Sequence, residues 1–352
     1  MKEPLLLEGQ TVRDAIAVIE RTRKLIAAVV DSAGRLRGVV SDGDIRRALL
    51  AGHGLDQSVT VAMTETPIVG SDDDSPENLY QRMLALGVAA LPLVDTYGRF
   101  VRVVQISDGP TELEGEHSAE QFWGAVIMAG GEGRRLRPLT ASVPKPMISV
   151  GGVPLLERQI RGMVASGLTR IFVSTNYLGH VIEDHFGDGS LFGAEISYLR
   201  EKEKLGTAGA LSLLPIPAQG PLLVINGDVL TKSDYGRMLK YHREHGDFLT
   251  VGAVQYRVEI PFGVINIEGT RAIRLEEKPS QRFLCNAGIY VLSPAALAHV
   301  PAEGCCNMTD VISAAIDCGQ PVSVFPIHEY WTDIGSPGDL ETAQKVFEEG
   351  IS

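Results

Sequence analysis

GAVIMAGGEGRRLRPLTASVPKPM, residues 124–147, decides how the longer part of the chain folds. Its apolar opening, Ala125–Ala129, runs straight into glycines, the pattern of a buried strand that enters a strand-to-helix turn. Two common nucleotide loops fail on this stretch. A P-loop needs GxxxxGK[ST], and here Gly133 is followed by Arg134. A dinucleotide fingerprint needs GxGxxG, and Leu136 stands where its third glycine belongs. The chemistry that remains still points at phosphate. Gly130, Gly131 and Gly133 let backbone amides come close to a polyanion. Arg135 offers a planar fork to phosphate oxygens, and Lys145, between Pro144 and Pro146, is a point charge on a stiffened segment. Arg134, Arg135, Arg137 and Lys145 face only Glu132, so the stretch is a small basic island.

The island sits in an acidic chain. The 352 residues carry 32 Lys+Arg against 44 Asp+Glu, a net charge of −12, which argues against a nucleic-acid or anionic-membrane surface. The length suggests two domains or slightly more, with ample chain for a core. No apolar run approaches a membrane span, and the opening MKEPLLLEG has too short an apolar stretch for a secretory signal. Cys285, Cys305, Cys306 and Cys318 form no CxxC pair, so zinc-finger spacing is absent and reduced thiols are expected. A cytoplasmic protein is the expectation. His242 and His245 lack a third ligand and are read as surface residues of a helix, as are His180 and His185.

With its full spacing, residues 129–147 resemble the signature of the sugar-1-phosphate nucleotidylyltransferases, GGxG[ST]RLxPLTxxxPKP. Gly130, Gly131, Gly133, Arg135, Leu136, Pro138, Leu139, Thr140, Pro144, Lys145 and Pro146 stand in register, and Arg134 replaces the usual Ser or Thr. Further pieces follow in that family's order over residues 124–345. EKLGTAGALSLL (203–214) looks like its GTAGAL segment, PLLVINGDVL (221–230) is an apolar strand ending in Asn-Gly-Asp, and WTDIG (331–335) matches W-x-D-[IV]-G. PFGVIN (261–266), LEEKP (275–279) and NAGIYVL (286–292) look like the wall for the acceptor sugar.

The resemblance implies a Rossmann-like α/β domain with a mixed, mostly parallel sheet over residues 123–352. It implies transfer of a nucleotidyl group from an NTP, GTP favoured, to a sugar 1-phosphate, with uridylyl, thymidylyl or cytidylyl transfer and non-catalytic nucleotide sensing as alternatives. Arg135 and Lys145 are then catalytic. Ala129, Gly130, Gly131, Gly133, Arg134, Gly206, Thr207, Ala208 and Gly209 bind nucleotide; read alone, Thr207 would be an ordinary helix cap. Gly263, Glu277, Lys278 and Asn286 bind the sugar phosphate, and Asp228 and Asp333 hold Mg²⁺. A homo-oligomer without nucleic-acid or membrane partners is expected.

The first third carries a repeat at an offset of 64 residues. VVDSAGRLRGVVSDGD (29–44) lies over LVDTYGRFVRVVQISD (93–108), and each copy reads as helix, strand, Asp-x-x-Gly turn, strand and helix start. Residues 1–110 resemble the tandem cystathionine-β-synthase-type (CBS) domain, a smaller α/β module that often binds adenine nucleotides. By that resemblance Ser41, Asp44 and Asp108 are regulatory-nucleotide residues, while Gln105 replaces the second Ser. Pure scaffolding is an equal reading. Acidic residues 111–122 are expected to be a linker.

Overall fold

The computed structural model describes residues 3–86, 88–105 and 122–348. Asp108 and expected linker residues 111–121 lie outside the described residues. Contacts divide the chain into two compact units. One joins the N-terminal residues to Gln255–Leu284, and the other holds the chain up to Val254 and from Cys285 onward.

The repeat folds as repeated structure. Its first copy is β1 (Leu5–Leu7), α1 (Val12–Thr22), β2 (Ile26–Val30), β3 (Leu36–Ser41) and α2 (Asp42–Leu50). The second is β4 (Gly70–Ser71), α3 (Pro76–Leu86), β5 (Ala90–Val94) and β6 (Phe100–Gln105). In both, the first strand runs parallel to the second and the second antiparallel to the third. Even the irregularity repeats, between Val29 and Val30 and between Leu93 and Val94.

The Asp-x-x-Gly turns are built alike. Asp31 Oδ1 accepts the amides of Ala33 and Arg35, and Asp95 Oδ1 accepts those of Tyr97 and Arg99. Gly34 (φ 77°) and Gly98 (φ 75°) supply the left-handed step. The copies are joined reciprocally: Leu36 N–H donates to Gly98 C=O, and Phe100 N–H to Gly34 C=O. α1 and α2 each begin with a capping box, Thr11 with Asp14 and Ser41 with Asp44. Val12, Ala15, Ile16 and Ile19, one face of α1, are buried with Ile45 and Leu49 of α2.

The second unit is a layered α/β fold around a seven-stranded sheet. Its elements begin with β7 (Gly124–Met128), the short pair β8 (Ser149–Val150) and β9 (Val153–Pro154), α4 (Leu155–Ala165), β10 (Arg170–Thr175) and α5 (Gly179–Phe186). Then come β11 (Glu195–Arg200), α6 (Gly206–Gly209), β12 (Leu222–Asn226), β13 (Val229–Thr231), α7 (Tyr235–Glu244) and β14 (Leu249–Glu259). The hairpin β15 (Val264–Glu268) and β16 (Arg271–Glu276) follows, and belongs to the first unit. β17 (Ser280–Leu292), α8 (Met308–Asp317), β18 (Val322–Ile327), β19 (Trp331–Asp333) and α9 (Pro337–Glu348) complete the chain.

The sheet order is β11-β10-β7-β12-β17-β14-β18. β11, β10, β7 and β12 are parallel, while β17 runs antiparallel to β12, so the sheet is mixed and mostly parallel as expected. β7 is buried on both faces, which is why it reads as a continuous apolar run. Ala125 and Ile127 pack with Ile160, Ile182 and Met238 from α4, α5 and α7, and Val126 packs on the other side with Met308 and Val311 of α8. From β7 the chain moves to β10 on one side and later returns to β12 on the other. That reversal opens a crevice at the carboxyl ends of β7 and β12, where α/β sheets place ligands.

Candidate functional site

Two neighbouring strands end at this crevice. Asn226, the last residue of β12, is in register with Met128, the last of β7, and Gly227 N–H donates to Met128 C=O. A β-carbon on Gly227 would lie 2.7 Å from that carbonyl oxygen, so only glycine lets the Asn-Gly-Asp turn pass so close. Asp228 is thereby held beside the glycine loop that follows β7.

The second carboxylate arrives from far along the chain. β13 and β19 pair antiparallel with Val229 opposite Asp333, and Ile334 N–H donates to Asp228 C=O. This short ladder sets Asp228 and Asp333 side by side. Lys145 lies between them. Its buried ammonium donates to Asp228 Oδ2 at 2.5 Å and stands 3.8 Å from Asp333 Oδ1. Gly133, at φ 60°, makes room beneath: a β-carbon there would lie 2.9 Å from Lys145 Cβ. Thr140 Oγ1 donates to Gly133 C=O and ties the loop to the Lys145 segment. The Arg135 guanidinium covers Gly335, two residues beyond Asp333.

Burial raises the Asp333 carboxyl above the ordinary aspartate range, and the neighbouring Asp228 adds to the rise; Lys145 and Arg135 oppose it. Asp333 Oδ1 is buried without a hydrogen bond. A pair of oxygen donors that shares one ammonium and leaves one oxygen unsatisfied suits a hard divalent cation, and Mg²⁺ takes few protein carboxylates. Asp228 and Asp333 therefore fit the metal expected of them.

A pocket of about 310 Å³ opens beside this centre. It is lined by Met128 and the loop residues Gly130, Gly131 and Glu132, by Lys204, Gly206 and Thr207, and by Ser174, Glu201, Asn226 and Asp228. Glu132 binds two cations here, accepting from Arg134 Nε at 2.6 Å and pairing with Lys204. These hydrogen bonds hold the Glu132 carboxyl down at about 2. Glu201 is raised instead, chiefly by burial, although Leu205 N–H donates to it.

Not every expected residue faces the pocket. Ala129 is buried, with its amide donated to Ser174 Oγ. The amides of Ala208 and Gly209 are both given to Cys306 C=O. Asn286 is exposed and accepts the Gly288 amide through its side chain. Gly263, Glu277 and Lys278 lie together at the hairpin base of the first unit, where a β-carbon on Gly263 would lie 2.9 Å from Glu277 Oε2. Asp44 accepts from the Ser41 amide and hydroxyl and from Thr64, and pairs with Arg47.

Thr207, expected to bind nucleotide, lines the pocket from within α6, and its hydroxyl accepts the amide of Met308, the first residue of α8. One local reading is corrected. His242 is not a surface residue. It is buried on the inner face of α7 against Thr250 Oγ1, which donates to Asp247, whereas His245 one turn on is exposed. The four cysteines are free thiols.

The sequence missed Glu132, Ser174, Glu201, Lys204 and Asn226 as pocket residues. Ser174, Glu201 and Asn226 lie at or next to the carboxyl ends of β10, β11 and β12, so the strand-end rule that located Asp228 would have found them. Glu132 and Lys204 carried no signal beyond adjacency to the glycine motifs.

Known proteins resemble this chain in sequence and fold. The family model described as nucleotidyl transferase matches residues 124–350, and the CBS domain model matches residues 2–51, the first copy of the repeat. The catalytic subunit beta of mannose-1-phosphate guanylyltransferase from Danio rerio is 33% identical over 236 residues, 64% of this chain and 65% of that protein. The mannose-1-phosphate guanylyltransferase of Mycobacterium tuberculosis is 30% identical, covering 65% of each. The chain thus spans about 65% of the length of these curated relatives. Among solved structures, a putative glucose-1-phosphate thymidylyltransferase from Bacillus anthracis superposes with a TM-score of 0.52 at 26% identity, covering 63% of this chain and 94% of that one. HddC from Yersinia pseudotuberculosis gives 0.51 at 26%, covering 64% and 100%. Among the described residues no helix is long and apolar enough to cross a membrane. With the family match spanning the whole β7-to-α9 region, the chain belongs to the nucleotidyl transferase family and carries a CBS domain at its N-terminus.

Proposed function

We propose that this protein transfers a nucleotidyl group from an NTP, GTP by preference, to a sugar 1-phosphate. A phosphate oxygen of the sugar 1-phosphate attacks the α-phosphorus, the bond to the β-phosphate oxygen breaks in line, and pyrophosphate leaves. The observation that carries this reading is Lys145, buried between Asp228 and Asp333 at the edge of a glycine-lined pocket. The attacking oxygen is already anionic, so no side-chain nucleophile or general base is required. What the chain must provide is position and positive charge.

The loop amides of Gly130 and Gly131 hold the triphosphate, and Gly206 and Thr207 line the same pocket for the nucleotide. Lys145 and Arg135 neutralise charge that grows on the phosphate oxygens. Asp228 and Asp333 hold Mg²⁺, which when bound supplies Lewis-acid charge to the phosphates. Gly263, Glu277, Lys278 and Asn286 receive the sugar phosphate. The names of the similar proteins make mannose 1-phosphate with GTP the first pair to try.

The N-terminal repeat we read as a scaffold. Ribose recognition by Asp44 would require an available carboxylate, and this one is occupied by Ser41, Thr64 and Arg47. Adenine nucleotides should therefore leave turnover unchanged. The deciding experiment for the reaction measures pyrophosphate release across four NTPs crossed with a panel of sugar 1-phosphates, with and without Mg²⁺. Release with no pair would favour a non-catalytic nucleotide sensor.

A further inference from the structure

The hairpin proposed to receive the sugar phosphate forms one compact unit with the N-terminal repeat. Its attachments are specific. Gln255 Nε2 donates to His53 C=O at 2.8 Å, and Gln57 Oε1 accepts the Gly54 amide, fixing the same loop after α2. The Arg282 guanidinium lies directly on Gly54, where a β-carbon would overlap it. Asp56 is shared between Arg13 of α1, at 3.1 Å, and Arg257 of β14, at 3.7 Å. Gln255 and Arg257 lie on β14, which leads into the hairpin, and Arg282 on β17, which leads out of it, so the segment 53–57 grips both strands that flank the hairpin.

The grip lies a few residues from the sugar residues. Ile260 N–H donates to Pro279 C=O and Lys278 N–H to Phe262 C=O, which closes the hairpin base around Gly263, Glu277 and Lys278. Lys278 itself is held at φ 46°, a left-handed conformation uncommon outside glycine that persists only where surrounding contacts impose it. The nucleotide pocket, by contrast, is lined entirely by residues of the other unit.

We infer that the segment 53–57 is a positioning element for the acceptor side of the reaction: it sets the hairpin base that carries Gly263, Glu277 and Lys278, and leaves the nucleotide side untouched. This rests on the proposed assignment of those three residues to the sugar phosphate. Exposed ion pairs such as Asp56 with its two arginines contribute little alone, so the Gln255 bond and the Arg282 contact carry most of the effect.

The test uses the full chain and perturbs the grip from each side. One variant is Gln255→Ala with Arg282→Ala; the other is Gly54→Trp, at a position whose φ is not in the left-handed region but where any side chain must displace the Arg282 guanidinium. Melting temperature checks folding. Both variants are expected to raise KM for the sugar 1-phosphate about five- to tenfold, with KM for the NTP within twofold of the parent. Backbone amides of residues 260–279 are expected to exchange hydrogen faster. Unchanged exchange overturns the inference whether or not the chain is active. Faster exchange with KM for the sugar 1-phosphate unchanged, or with both KM values rising together, overturns it as well. A parent chain that releases no pyrophosphate with any substrate pair overturns the proposed reaction, and with it the acceptor role given to this grip.

Discussion

Two clusters of opposite charges reach the pocket, one through Asp228 and one through Glu132 and Lys204, and they differ in one physical respect. Lys145 with Asp228 and Asp333 is built from a buried ammonium and two half-buried carboxylates. Glu132 with Arg134 and Lys204 is built from long side chains whose cationic ends are mostly in water, 71% and 60% exposed. The consequence appears in the acids. Asp333 is raised by burial and by a like charge beside it, whereas Glu132 is held down at about 2 by its two donors. A centre that charges its groups against their environment is poised to act on a ligand; one that relaxes into solvent-screened pairs is an adjustable rim.

The comparison breaks first at Lys145. Lys145→Ala should lower the rate of pyrophosphate release by about 10³-fold, the scale of losing one charge-stabilising group in a dry site. Near-normal turnover would remove the distinction between the two clusters and the proposed mechanism with it. Asp228→Asn should lower the rate by about 10²-fold and weaken the response to added Mg²⁺, measured as the metal concentration for half-maximal activity.

Asp333→Asn separates activity from stability. The raised carboxyl works against the fold wherever it is ionised: its favourable contribution is present below the unfolded value and is lost as pH rises through the folded one. In metal-free protein the parent and the Asn variant should melt alike in acid, and the variant should be the more stable at neutral pH, by less than about 1 kcal/mol given 44% side-chain exposure. A variant that melts lower at neutral pH would contradict the assigned cause.

At the rim the expected effects are smaller. Arg134→Ser restores the hydroxyl usual in the family and removes one partner of Glu132; KM for the NTP should change by less than about threefold, and the melting temperature should stay close to that of the parent. A tenfold change would move Arg134 into the catalytic group.

Away from the pocket, burial lowers the His242 imidazole below its ordinary value, with Arg243 adding to the fall and Asp247 opposing it. Its stabilisation is present above the unfolded value near 6.5 and is lost as pH falls through the folded value. The decline in melting temperature below about pH 6 should therefore flatten in His242→Gln.

Much of this was legible because local chemistry is written in adjacent residues. The β7 strand, the glycine loop, Arg135 and Lys145 are contiguous, and the two Asp-x-x-Gly turns repeat in register because each is closed by its own Asp side chain and glycine. His242 was misread for the opposite reason. YHREHG is polar by composition, yet its first histidine faces inward because Thr250 and Asp247 complete a buried hydrogen-bonded set from outside the helix. Thr207, which the GTAGAL motif marks for the nucleotide, also receives the first amide of α8, about a hundred residues on, a contact that no local spacing shows.

By itself the sequence determined the phosphate-directed island, the strand-end carboxylate Asp228 and the duplicated N-terminal module, since each follows from residue type and short-range spacing. Only the tertiary structure decided three things. It brought Asp333 beside Asp228 through the β13–β19 ladder, it paired Glu132 with Lys204 at the pocket, and it joined Gln255–Leu284 to the N-terminal repeat. Each depends on which distant backbones pair and pack, and a residue's neighbours across a sheet or a domain surface leave no mark on its neighbours along the chain.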